Sequence, residues 1–297
     1  MSGPALLAVA HGSAHPAAAA TTAALVKQVE RLAPVLDVQL AFVQHAEPTL
    51  ADALDAAGPD VVIVPLLLST GYHLTTDIGG AVAAMGAAPA ARRAGPRAAG
   101  PRGADPRAAG PLMTGSRAAG PRVARPRPEG ALMARSRAAG PRKTDLGGAD
   151  LGGAGPRVAG PLGPDQLLVT ALAGRLAQAG VPTGTPLVLA AAGSSDPRAA
   201  TEVAAQAELL ARELAVPVVA AFAAAGRPTV PEAVAELRAR TAGPVAVATY
   251  LLAPGQFHDA LGASGADWVT DPLGDHPAVA ALIIDRYRTL RTPARAA

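Results

Sequence analysis

Apolar positions in this chain follow two rhythms. LLAVA at 6–10 and VVIVP at 61–65 are unbroken, and VQLAFV at 38–43 nearly so. Runs of this length, closed by Gly, Pro or small polar residues, predict strands buried on both faces, as in a parallel sheet. Between them the apolar residues space out. Leu25, Val29 and Leu32 recur at i, i+4 and i+7 and predict a helix over 17–32. A shorter helix is predicted over 48–57, where proline is accepted in the first turn. Another is predicted over 76–85, after the loop LLLSTGYHLTT. Strands alternating with helices imply right-handed βαβ units and a parallel sheet.

The same series then recurs. A helix over 165–179, closed by Gly180, leads into strands at 187–192, 217–223 and 245–251, with a helix over 199–214. AVAHGSAHP near the start is matched by AAGSSDP, and AEPTLADALDAA by GRPTVPEAVAEL. LLLSTGYHLTT is matched by LLAPGQFHDAL, and VAGPLGPDQLLVTAL by VTDPLGDHPAVAALI. Four matched blocks in one order make a tandem duplication.

One segment breaks the rhythm. From about 87 to 159 the chain is nearly all Ala, Gly, Pro and Arg, and RAAGP recurs at Arg97, Arg107, Arg117 and Arg137. Pro and Gly this dense leave little apolar surface to bury, so the segment is expected to be a disordered insert in the first copy. The expected organisation is therefore an N-terminal domain at 1–86, the insert at 87–157, the end of that domain at 158–182, and a second domain at 183–297. The insert carries net +10 between Arg92 and Arg157, whereas the whole chain is only +3. The rest is thus mildly acidic. An Arg-rich arm for nucleic acid lacks the interleaved aromatics that stacking needs, so nucleic acid is not the expected partner.

Composition narrows the chemistry. Only 2% of residues are aromatic, so the cores must be built from Ala, Val and Leu. The chain has no Cys, which excludes disulfides, thiolate metal sites and a Cys nucleophile. A metal would need nitrogen or oxygen ligands, with the six His as first candidates. No apolar run nears the ~20 residues that span a bilayer. The start of the chain lacks the basic region of a secretory signal. A soluble, cytoplasmic protein is expected.

Two histidines occupy equivalent places. His11 follows the first strand and His73 the third, each within a short turn region containing Gly. Parallel strands can bring both to one rim of the sheet, where ligands of open α/β folds bind. Such a pair could hold a divalent metal transiently or accept protons. Alone, either is as readily a loop or capping residue. Glu47, just past the second strand, could add a carboxylate base to the rim, or simply favour a helix N-terminus. His15 and His45 read as loop residues, His276 as a helix-start residue, and Tyr72 as a wall or a functional hydroxyl. A phosphoryl-transfer histidine would want Arg in place of Ala10, and HGS lacks the signature of a phosphate-binding loop.

AHGSAHP, AEPTL, VVIVPLLLSTGYH and PLGP together resemble the sirohydrochlorin chelatase family, over essentially the whole chain except the insert. The resemblance implies an α/β protein of two tandem chelatase-like domains, each a small parallel sheet flanked by helices. It implies insertion of Co2+ or Fe2+ into sirohydrochlorin, on the routes to cobalamin or sirohaem, with no tightly bound cofactor. His11 and His73 would be the active pair and metal ligands, supported by Glu47. Ser13, Thr70, Tyr72 and His258 would meet the macrocycle, with Arg198 or Arg227 as further anchors for its carboxylates. In the second half Ala192 stands where His11 does and Arg227 where Glu47 does. One active site, in the first half, is therefore expected. The competing class is a metal or tetrapyrrole carrier on the same fold.

Overall fold

The computed structural model describes residues 3–71, 73–87 and 155–291, with 73–75 and 84–87 described by backbone alone. Nearly all of the expected insert, at 88–154, lies outside the described residues, as does Tyr72. The first half runs β1 (Ala5–Ala10), α1 (Pro16–Leu32), β2 (Val38–Phe42), α2 (Leu50–Ala57), β3 (Val61–Pro65), a π-helical turn (His73–Ile78) continuing as α3 (Gly79–Ala87), β4 (Arg157–Val158) and α4 (Gln166–Gln178). The second runs β5 (Leu187–Gly193), α5 (Pro197–Leu214), β6 (Val218–Ala225), α6 (Val230–Thr241), β7 (Ala246–Tyr250), α7 (Gln256–Leu261), β8 (Trp268–Val269) and α8 (Pro277–Arg291).

Each half forms a four-stranded parallel sheet, in the orders β2-β1-β3-β4 and β6-β5-β7-β8. The registers superpose the halves. Leu6 pairs with Val62 and Leu187 with Ala246; Val62 pairs with Arg157 and Ala246 with Trp268. Two parallel sheets flanked by helices are the architecture the duplication implies. Local differences have local causes. The helix expected from Pro48 begins at Leu50, because Thr49 caps it by accepting from the Asp52 amide. The helix expected from Thr76 already winds at His73. β4 is only two residues long, since beyond Val158 only scattered backbone bonds continue toward β3.

Alternation along the strands sorts the core into layers. Leu7, Val9, Val61 and Ile63 face α2 and α3 on the outer side of the first sheet, and Val188, Ala190, Val245 and Val247 do the same for the second. Leu6, Ala8, Val62 and Val64 face inward, into a single cluster with Leu187, Leu189, Ala246 and Ala248. Both sheets therefore share one interior and belong to one compact unit.

The helices in that interior are exchanged. α4, the last helix of the first half, packs on β7 and α5 of the second; α8, the last of the second, packs on β3 and α1 of the first. Polar bonds fix the exchange. Tyr287 on α8 donates to the Pro4 carbonyl at 2.6 Å, and Arg157 donates to the Leu290 carbonyl at 3.0 Å. Arg286 on α8 donates to the carbonyls of Pro161 and Leu162 and pairs with Asp165 at 3.1 Å. The segment 158–182 thus belongs by packing to both halves.

α8 starts on a titratable cap. The Ala278 amide donates to His276 Nδ1 at 3.2 Å, and the ring lies against Gly174 of α4, where a β-carbon would fall 2.7 Å from Nε2. Burial, then the nearby Arg175, hold the imidazole below its ordinary value of 6.5. The folded state thus favours neutral His276, as a ring accepting at Nδ1 must. This contribution is fully present above about pH 6.5 and is lost as the pH falls through the lower folded-state value. The expected result is a thermal midpoint that declines between pH 7 and 5, with a shallower decline in His276→Asn, which keeps a capping acceptor but does not titrate. Thermal unfolding of both proteins across that range measures it.

Candidate metal-handling site

The carboxyl ends of both sheets border one cavity of about 1150 Å³, lined by residues 10–16, 66–71, 191–195 and 250–258 together with α1. Its walls are mostly Ala, Leu and Gly, with His11, His15, His45 and His258 among the residues that border it. A cavity at this end of a parallel sheet is where α/β folds bind ligands.

His11 reaches it because β1 breaks immediately before it. Gly12 adopts φ +87°, and a β-carbon there would run into the Gln44 carbonyl. Gly193 repeats this in the second half, with φ +91° and the Ala225 carbonyl. The His11 ring is then held at both nitrogens. Nδ1 lies 2.8 Å from the Gly12 carbonyl, which can only accept, so Nδ1 carries the proton. Nε2 keeps its lone pair and accepts from the Gln44 side-chain amide at 2.9 Å. Sequence reasoning passed over Gln44. The signal that could have found it is the pairing of Ala10 with Phe42, which carries residues 11–12 alongside 43–44.

Glu47, expected as the supporting carboxylate, is exposed and does not line the cavity. The chain turns at His45, φ 64°, and carries Glu47 toward the start of α2. An amide, Gln44, stands at His11 instead of a carboxylate. His73 opens the π-helical turn two residues beyond Gly71, which lines the cavity.

Of the residues expected to meet the macrocycle, Ser13, Thr70 and His258 line the cavity, and each is also bonded within the protein. Ser13 borders the cavity, and its hydroxyl accepts from the His15 amide at 3.1 Å. His15 caps α1 by accepting from Ala17 at Nδ1, and its Nε2 lies 4.0 Å from Asp259 of α7. Thr70 is buried, and both its amide and its hydroxyl are spent on Glu202 of α5, each at 2.5 Å. His258 lines the cavity with Nε2 3.3 Å from the Thr270 carbonyl. By sheet register, Gly71 corresponds to Gly255 and the counterpart of His73 is Phe257, with His258 one place further on. Phe257 is 44% exposed at the cavity edge. Arg198 pairs with Asp196 at 2.7 Å and Arg227 with Glu232, and neither lines the cavity. Among the described residues, no group of three or more His, Asp or Glu comes together as a metal cluster.

The second half braces the first at this wall. The Tyr250 hydroxyl donates to the Leu68 carbonyl at 3.2 Å. Burial, then the Glu202 carboxylate, push its ionisation upward, so it stays a donor. Gly163 makes the approach possible, since a β-carbon there would strike both Tyr250 and Leu68.

Two parallel sheets that share a core and open together on one cavity define a duplicated α/β protein with a ligand site at its strand ends. The CbiX family profile matches residues 5–109 and 186–290, well over half of the chain, and the chain belongs to that family. No curated protein sequence matches it. Among solved structures, it is similar to SirB of Bacillus subtilis with Fe3+, at 21% identity and a TM-score of 0.66 over 97% of this chain and 95% of that one. The sirohydrochlorin chelatase SirB of Bacillus subtilis subspecies spizizenii in complex with cobalt is similar at 18% identity and a TM-score of 0.63, over 97% and 94%. A third is CbiX, described as the terminal enzyme for biosynthesis of siroheme in denitrifying bacteria, at 22% identity and a TM-score of 0.57, over 97% and 100%.

Proposed function

We propose that this protein inserts a divalent metal, Co2+ or Fe2+, into sirohydrochlorin. The observation that carries the reading is the imidazole of His11 at the wall of the large, mostly apolar cavity between the halves, with the proton held on Nδ1 and Nε2 acting as an acceptor toward the exchangeable amide of Gln44. Family membership and the similar SirB and CbiX structures support it.

The reaction exchanges one metal dication for the two N–H protons of the macrocycle. Apolar walls take the ring, and the Ala-rich lining leaves width for a planar ligand. His11 Nε2 hands over the metal or takes a proton, once the Gln44 amide yields it. His73, which opens the turn beside the same cavity, is the partner imidazole. Both must be neutral for either role. Backbone amides around residues 12–14 and 194–195, just before α1 and α5, are the donors best placed for substrate carboxylates. The reading places the protein in the cytoplasm, on a cobalamin or sirohaem route.

The test is anaerobic absorbance of sirohydrochlorin with the purified protein and either Co2+ or Fe2+. Many equivalents of metallated product per protein, formed well above the uncatalysed rate, support the proposal and rank the metals. Spectral change that stops at one equivalent overturns it in favour of a carrier.

A further inference from the structure

We propose that Glu202, on α5 of the second half, is a positioning residue that clamps the loop 66–71 of the first half, from which His73 follows. The proposal rests on the chelatase reading above. Glu202 does not line the cavity; it grips the wall from behind. Its Oε2 accepts the Thr70 amide and its Oε1 the Thr70 hydroxyl, each at 2.5 Å. Two donors from one residue on the two oxygens of one carboxylate fix the loop in both position and rotation. Tyr250, also from the second half, adds a third tie at Leu68.

The clamp runs one way only, and the sequence shows why. Pro16 and Pro197 both open their helices, so the position matching Glu202 in the first half is Thr21. The Thr21 hydroxyl donates to Ala17 within its own helix, at 2.9 Å. By register, the position matching Thr70 is Pro254, which has neither an amide proton nor a hydroxyl to donate. Tyr250 corresponds to Leu66, which has no hydroxyl. All three differences point the same way: the half that has Ala192 in place of a histidine holds the loop of the half that has kept His11 and His73. Duplication has here divided the labour between a reacting half and a bracing half.

Glu202→Ala, Glu202→Gln and Tyr250→Phe separate positioning from chemistry. Turnover is followed with sirohydrochlorin and Co2+, and exchange of the Thr70 amide by hydrogen–deuterium exchange on the full-length protein. Glu202→Ala is expected to lower kcat by about tenfold to a hundredfold with little change in KM, since sub-ångström displacement of a reacting group costs rate rather than binding. It should also speed exchange of the Thr70 amide while leaving distant amides unchanged. Glu202→Gln should restore most of the rate and the protection, because its carbonyl accepts the amide and its NH2 meets a rotated hydroxyl. Tyr250→Phe should show a smaller loss of the same kind. If Glu202→Ala fails to fold, Glu202→Asp, one methylene shorter, should still depress kcat through the displaced loop. A Gln variant as slow as the Ala variant overturns the proposal, because the charge and not the clamp would then matter. Unchanged kcat with a freely exchanging Thr70 amide overturns it too. Absence of turnover in the wild type instead sinks the chelatase reading, and the exchange data still decide whether the clamp exists.

Discussion

On the chelatase reading, His11→Ala is expected to lower the rate of metal insertion by at least about a hundredfold, the scale expected when a group that transfers protons or metal at the reacting centre is removed. The effect falls on kcat, because the apolar walls that would hold the macrocycle do not depend on the ring. Folding survives, since His11 is only partly buried and its bonds, to the Gly12 carbonyl and the Gln44 amide, are local to the rim. Anaerobic absorbance with sirohydrochlorin and Co2+, beside thermal unfolding of the variant, measures both. A variant that folds and turns over at the wild-type rate removes His11 from the mechanism. Gln44→Leu sharpens the result: with the amide gone Nε2 has one competitor fewer, so this variant should keep or raise the rate at low metal concentration. A carboxylate base at that position would predict a loss instead.

That contrast shows how far the residues alone could be read. β3 was legible to the residue, because VVIVP is apolar throughout and bounded by Asp60 and a loop. The duplication was legible because four blocks recur in order, and register pairs bear out the match of β1 with β5 and β3 with β7. The place of His11 followed from the same strand logic. The exposed place of Glu47, off the cavity lining, was not legible because spacing along a chain says nothing about a turn: the chain turns at His45, φ 64°, two residues before it. Thr70 lines the cavity, but its tie to Glu202, 132 positions away, left no mark along the chain, because the charged face of α5 looks like any solvated face. The match of His258 to His73 failed by one position, because Tyr250 rather than Leu251 continues the second sheet at the point where Leu66 follows the first.

The helix exchange was beyond sequence reasoning altogether, since an amphipathic helix records that it has a buried face but not which sheet buries it. It carries the second large prediction. Expressed apart, 1–182 and 183–297 are not expected to give stable domains, although each holds four strands. The second piece would leave β7 and α5 without α4, and the first would leave β3 and α1 without α8. The surfaces left bare include Leu187, Leu189 and Leu210 in one piece and Leu6, Val62 and Val64 in the other, all fully or nearly fully buried in the intact chain. Burial of apolar area at about 25 cal/mol per Å² is the main term that offsets chain entropy, and it is this area that separation removes. Mixed together, the two pieces should regain a cooperative transition and, on the chelatase reading, activity. Within the intact chain, Leu172→Ala on α4 and Ile283→Ala on α8 should each cost about 2–5 kcal/mol, the range for emptying a close-packed site. Both losses should appear in one shared unfolding transition, because the two helices pack on each other as well as on opposite sheets. Circular dichroism melts of the separate pieces, their mixture and the two variants give the answer. Sharp independent melts of the pieces, or two resolved transitions in the whole chain, would mean that each half closes its own core and that the shared interior contributes little.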